Sequence, residues 1–286
     1  MHKLVAITVF FLAGTFLADC KKQTDDKAYE TYHPYVPLSV GKYITYKLDS
    51  TITTSFGTGF DVHTYTVKDS IEAQITDNAN RLSYRVVRYQ LSGMQWTPVN
   101  VFMVTPTANT LEWVDNNIRI IKMVNPVVNG KIWKGNSYVS YTPYFDNSDF
   151  KNWTYTYTNL YMPFTVNNQS LDSTITVVSY DSLSNDSFYY KRYSTYTKGY
   201  EVYARNVGKV YQDILNWEYQ AFTTLTNCKQ VRCADNKCDT TAINCNTDNC
   251  DSIRMIPGNN VIGCDTILTN YYYNGYGVKL TMIDHN

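Results

Sequence analysis

Aromatic and β-branched residues alternate with polar ones along most of this chain, and that period of two limits what it can fold into. Trp153, Tyr155 and Tyr157 alternate with Thr154, Thr156 and Thr158, which places the three rings on one face of a strand. The same pattern starts at Tyr43–Leu48 and returns at His63–Thr76, Leu82–Gln90, Val99–Val104, Ile118–Val124, Ser173–Tyr180, Tyr200–Ala204, Lys209–Ala221 and Tyr276–Ile283. Polar turn segments stand between runs, as at Asp77-Asn78-Ala79-Asn80, Asp115-Asn116-Asn117 and Asn206-Val207-Gly208; such punctuation marks hairpins. No stretch of a dozen residues carries an apolar period of 3.6. The expected fold is therefore all-β: an antiparallel meander of at least nine strands, forming a sandwich or a curved barrel-like sheet.

The N-terminus has a different grammar. Met1-His2-Lys3 precedes an apolar run from Leu4 to Ala18. At about 1.5 Å per residue that run is too short for a hydrocarbon core of roughly 30 Å, and a short basic start before it is the pattern of a signal peptide. Cleavage after Ala18 would place bulky Phe16 at the −3 position. Leu17-Ala18-Asp19-Cys20 instead resembles the lipobox of bacterial lipoproteins, with Asp19 where a small residue is usual. The resemblance implies a signal peptide over 1–19 and diacylation of Cys20, and two acyl chains suffice for stable anchoring. Residues 20–35 then read as a lipidated tether, because Lys21-Lys22-Gln23-Thr24-Asp25-Asp26-Lys27 has no apolar period. A charged stretch after the lipidated Cys resembles the surface-export signal of Bacteroidota lipoproteins, although the acidic pair there normally lies closer to the Cys.

Cysteine spacing agrees with export. After Cys20 the chain has none until Cys228, Cys233, Cys238, Cys245, Cys250 and Cys264, all within 37 residues. An even cluster plus one isolated Cys is what three disulfides and one acylated thiol leave, and disulfides persist in an exported compartment. Zinc knuckles need C-x2-C pairs or histidines at ligand spacing, and neither is present. Six cysteines allow 15 pairings, among which the sequence does not choose. The segment 228–264 reads as a small disulfide-rich insertion in a β domain spanning 36–286.

Charge and motifs exclude more than they assign. The chain has 25 basic and 25 acidic residues, a balance against a nucleic-acid partner. There is no H-E-x-x-H, G-x-S-x-G or P-loop, so no catalytic residue, metal or cofactor is expected. The spacing S-x-x-K at Ser39–Lys42 and Ser148–Lys151 lacks its companion boxes. Phe56-Gly57-Thr58-Gly59-Phe60 reads as a hairpin tip rather than a phosphate loop. Asp284-His285-Asn286 reads as a solvated end rather than a metal site. Asn244, Asn246 and Asp248 alternate like calcium ligands, but Asn249 and Met255 replace the Gly and Glu of an EF-hand. The 27 tyrosines suit cross-strand pairing in a sheet; they also suit a surface that stacks sugars or peptides. Candidate stacking rings are Trp153, Tyr155 and Tyr157, and the run Tyr271-Tyr272-Tyr273.

Four segments carry a further likeness: Tyr35-x-Pro37-Leu38-x-x-Gly41-x-Tyr43-x-x-Tyr46, Trp133-x-Gly135-Asn136, Tyr203-Ala204-x-x-Val207-Gly208-x-Val210-Tyr211 and Ile283-Asp284-His285-Asn286. Together they resemble uncharacterised Bacteroidota cell-envelope lipoproteins. That resemblance implies a β architecture and a location at the outer membrane, facing the periplasm or the cell surface, but no reaction. The expected function is a membrane-anchored, non-catalytic binding module for a glycan, a peptide or an envelope protein. The alternative is a structural or adhesive protein that uses the Cys-rich lobe, and a hydrolase ranks third.

Overall fold

A computed structural model of the chain describes residues 30–139, 153–185, 193–234, 237–242, 255–256 and 260–286. The signal segment, Cys20 and most of the tether lie outside the described residues, as do Cys245, Cys250 and the Asn244–Asp248 loop. Among the described residues there are fourteen strands. In chain order they are β1 (Tyr43–Thr53), β2 (Phe60–Thr76), β3 (Leu82–Ser92), β4 (Gln95–Pro106), β5 (Thr110–Asp115), β6 (Ile118–Val124) and β7 (Ile132–Lys134). These are followed by β8 (Thr154–Val166), β9 (Gln169–Asn185), β10 (Tyr193–Ala204), β11 (Gly208–Ala234), β12 (Lys237–Ala242), β13 (Met255–Ile256) and β14 (Asn260–His285).

Twelve of them form one antiparallel sheet in the order β6-β5-β4-β3-β2-β1-β14-β11-β10-β9-β8-β7, with β12 on β11 and β13 on β14. The sheet curls until its two edge strands, β6 and β7, nearly meet. Ile121 N–H donates to Gly135 O at 2.8 Å, and the Trp133 indole N–H donates to Ile121 O at 2.9 Å. Of the two architectures the alternation allowed, the chain adopts the nearly closed barrel. Closure removes the exposed edges that an open sheet leaves for unwanted pairing.

Tyr155 and Tyr157 work at this seam, which corrects their reading as stacking rings. Tyr157 is fully buried. Its hydroxyl donates to Val124 O at 2.8 Å and accepts from Val124 N–H at 2.8 Å, tying β8 to the end of β6. Tyr155, also buried, donates to Asn136 Oδ1 at 2.9 Å. Its ring occupies the space above Gly135, where a Cβ would sit 2.2 Å from it. Trp153 is half-buried, packs against the same core and stacks on Tyr180 with ring centres 4.8 Å apart and planes 9° from parallel. The period of two had put these rings on one face, and closure turned that face inward.

One end of the barrel is capped from the N-terminal side. Tyr32 and Tyr35 are fully buried. The Tyr32 hydroxyl donates to Thr107 O and Thr110 O, and its amide donates to Asn125 Oδ1 at 2.9 Å. Asn206 N–H donates to Pro34 O at 2.7 Å and Val127 N–H to Glu30 O at 2.8 Å. The segment where the tether ends thus docks on the β4–β5, β6–β7 and β10–β11 connections. At the opposite end, β11 and β14 continue past their neighbours as a two-stranded ribbon that stays paired as far as Arg232 and Asn260.

Candidate binding site

The barrel interior holds buried charge. The Glu201 carboxylate receives Lys122 Nζ at 3.1 Å and Lys209 Nζ at 3.4 Å, and the Tyr203 hydroxyl donates to its second oxygen at 3.0 Å. Burial alone would raise its pKa, but the two ammonium groups and the hydroxyl outweigh burial and hold it at about 2. Burial has the opposite consequence for Lys209, whose pKa falls below the ordinary lysine value despite Glu201. Arg88 forks onto Asp69 at 2.6 and 2.7 Å. Beside this lattice and beneath the N-terminal cap lies a cavity of about 80 Å³ lined by Val36, Leu38, Val86, Leu111, Trp113 and Lys209 among others. Ligand pockets for organic molecules run from roughly 300 Å³ upward, so this space is a packing gap. A carboxylate held that far below neutrality donates no proton at neutral pH, and the lattice serves the fold.

The outer face offers more. Register places the side chains of β10, β11, β14, β1 and β2 in rows across the barrel wall. One row runs Tyr200, Asp213, Lys279, Asp49, Thr64; the next runs Lys198, Leu215, Gly277, Thr51, Val62; beyond them Tyr196, Trp217 and Gly275 stand in line, and Thr53 faces Phe60. The sense of this face follows from period two: Lys47 and Lys279 on it are exposed, while the intervening Tyr46, Gln212 and Leu280 are buried. The middle of the band is an open trough of about 440 Å³, lined by Lys47, Asp49, Thr64, Asp213, Leu215 and Lys279 with Gly277 in its floor.

An aromatic cluster continues the same face beyond one end of that trough. Trp217 contacts Phe60, Tyr196 and Tyr273 with ring centres 6.4, 6.0 and 5.9 Å apart, and Tyr273 also meets Phe60 and Tyr219 at 5.2 and 5.1 Å. Gly275 makes the cluster possible: a Cβ there would lie 2.5 Å from the Trp217 Cβ and 2.3 Å from Asn216 O. At the other end Tyr200 stacks on Tyr211 at 5.5 Å, with Lys198 over Tyr200 and Lys279 over Tyr211 at 4.9 and 5.6 Å.

Between the rings the trough carries alternating charge. Lys47 bonds Asp49 at 3.0 Å, the Thr64 hydroxyl donates to Asp49 at 2.6 Å, and Lys198 bonds Asp213 at 2.7 Å. The Asp49 carboxyl feels some burial, which raises its pKa, but its hydrogen bonds from Thr64 and Lys47 and the nearby Lys279 bring it below the usual aspartate value. Flat rings beside ionised carboxylates and hydroxyls are what a sugar or polar peptide needs: a face to stack on and acceptors for its hydroxyl or amide protons.

Of the predicted stacking residues, only Tyr273 from the run Tyr271-Tyr272-Tyr273 joins the cluster. Tyr272 is exposed beside it, and the Tyr271 side chain lies outside the described residues. Sequence reading missed Tyr196, Tyr200, Tyr211, Trp217 and Phe60, although Gly275-x-Gly277 inside a strand pattern is the signal that another side chain crosses there. Cys228 and Cys233 fall in β11, Cys238 in β12 and Cys264 in β14. The C-terminal Asp284-His285-Asn286 is tied to β1: Tyr43 N–H donates to Asn286 Oδ1 at 2.7 Å and the Tyr43 hydroxyl to Asp284 at 3.3 Å. Among the described residues no three His, Cys, Asp or Glu side chains are grouped to hold a metal. Comparison of the chain with protein-family models, curated proteins and solved structures returns no match.

Proposed function

We propose that this chain is a cell-envelope lipoprotein of the outer membrane, anchored by lipid on Cys20, whose barrel is a binding module for a glycan or a polar peptide. The observation that carries the reading is the trough with the aromatic cluster of Trp217, Tyr273 and Phe60 next to it on the outer face of the barrel. Its position supports the same reading, because the end of the tether docks at the capped end and the aromatic cluster lies toward the opposite one. The reading assigns no reaction to the chain: the trough carboxylates are paired with lysines and threonine, an arrangement suited to accepting hydrogen bonds.

Glycan and peptide arrays probed with purified residues 21–286 test it. Binding to a defined set of polar ligands is expected, with a loss of tenfold or more in Trp217→Ala and unchanged binding in Tyr157→Phe. Stacking of one ring contributes about 0.5–1.5 kcal/mol beyond its buried area, and tenfold corresponds to 1.4 kcal/mol. Ligands retained in full by Trp217→Ala would place the site elsewhere. The long β11–β14 ribbon favours a second reading, an adhesive protein whose partner surface is the ribbon. Deleting the ribbon tip would then abolish partner binding while Trp217→Ala left it intact.

A further inference from the structure

We infer that four of the clustered cysteines close as Cys233–Cys238 and Cys228–Cys264, a pairing that rests on reading the chain as exported to an oxidising compartment. Strand register carries both bonds. Cys233 of β11 lies directly opposite Cys238 of β12, in the pair immediately before the closing pair Ala234 and Lys237. On the other side of β11 the ladder with β14 pairs Thr226 with Asp265 and Lys229 with Gly263, and the register shifts between them. That shift sets Asn227 and Cys228 together opposite the single residue Cys264, the two-against-one arrangement of a β-bulge.

Directly opposed residues of an antiparallel pair have Cα atoms about 4.5–5.5 Å apart, inside the roughly 4.4–6.8 Å that a disulfide spans. Among the described cysteines the alternatives fail on distance. Cys233 stands five residues further along β11 than Cys228, and at about 3.3 Å per residue that puts it roughly 16 Å from the position facing Cys264. Cys245 and Cys250 lie outside the described residues.

Each bond forms by two exchanges with an oxidised protein dithiol–disulfide. One cysteine thiolate attacks a sulfur of that disulfide and displaces its other sulfur as a thiolate. The second cysteine thiolate then attacks the mixed disulfide, closes the S–S bond and releases the oxidant as a dithiol. Two protons and two electrons leave the chain for every bond. The consequence for the fold is local. A two-stranded ribbon is marginal in water on its own, and these bonds staple its outer part, between β11 and β14 and between β11 and β12.

Peptide mapping of the full protein recovered from the envelope, alkylated without reduction, tests the pairing. Tryptic cuts after Lys229, Arg232, Lys237 and Arg254 put Cys228, Cys233 and Cys264 on separate peptides and leave Cys238, Cys245 and Cys250 on one. A further Asp-specific cut at Asp239 and Asp248 parts those three. The expected linkages are 210–229 to 255–279 and 233–237 to Cys238, and Cys233→Ser should expose one alkylatable thiol, at Cys238. Closed disulfides in another pattern, such as Cys228 to Cys233, would overturn the register argument alone. Six alkylated thiols would overturn it together with the exported reading.

Discussion

Glu201 shows what a single buried residue costs and contributes here. Two lysines and a tyrosine hydroxyl satisfy it, so removing the carboxylate leaves Lys122 and Lys209 buried without their counter-ion. Loss of one partner from a buried ion pair costs about 3–5 kcal/mol, and Glu201→Gln should lower unfolding stability in denaturant by about that much. The pH dependence follows from the same bonds. The folded pKa is about 2 against an ordinary 4.5, so the unfolded chain takes up the proton first as acid is added. The stabilisation is complete above pH 4.5 and is lost as pH falls toward 2. Wild type should therefore lose its advantage over Glu201→Gln across that window; parallel stability curves for the two would contradict the assignment. Tyr157 allows a sharper contrast between fold and site. Tyr157→Phe leaves Val124 N–H and C=O without their partner, at about 1–3 kcal/mol for a buried group, measurable as a lower melting temperature. Trp217→Ala, on the outer face, should change binding much more than melting. None of this division was legible in the residue types, because an alternating strand has two faces and the sequence does not say which one the sheet closes around.

At the scale of elements, most of the meander is legible because period two is a local property. Where reading stopped short, a reason can be named. β4 begins at Gln95, ahead of the expected Val99, because Trp96-Thr97-Pro98 reads as a break, and its pairing with Gln90–Ser92 overrides that. β5 and β7 were unread; both are short, and they form near the closing seam, where long-range bonds supply what local pattern does not. β11 was expected to stop at Ala221 and runs to Ala234, while β14 was expected from Tyr276 and starts at Asn260. Ladder hydrogen bonds are made by backbone, so the two strands extend each other through a segment poor in apolar residues. Replacing 228–264 by a short Gly/Ser linker should leave the barrel folded, since the pairs Tyr211 to Thr281 through Ala221 to Tyr271 lie outside the deletion. Circular dichroism and the melting temperature check this; insoluble protein would mean that the ribbon supports the barrel.

Across the whole molecule, the end of the N-terminal segment packs at one end of the barrel and the trough lies on its outer wall. Cys20→Ala should abolish acyl labelling and move the protein from the detergent phase to the aqueous phase, and unchanged partitioning would remove the anchor. The trough was not legible in the sequence, since its rows bring together residues from Asp49 to Lys279 that only register aligns. The most direct measurement is ligand binding by the full lipidated protein in vesicles, with the best glycan or peptide from the arrays added outside. Because the tether docks at the capped end, vesicle-bound protein should bind with the affinity of the soluble domain, and Trp217→Ala should lose tenfold or more in both forms. Binding abolished by vesicle attachment, or undiminished in Trp217→Ala, would contradict the account.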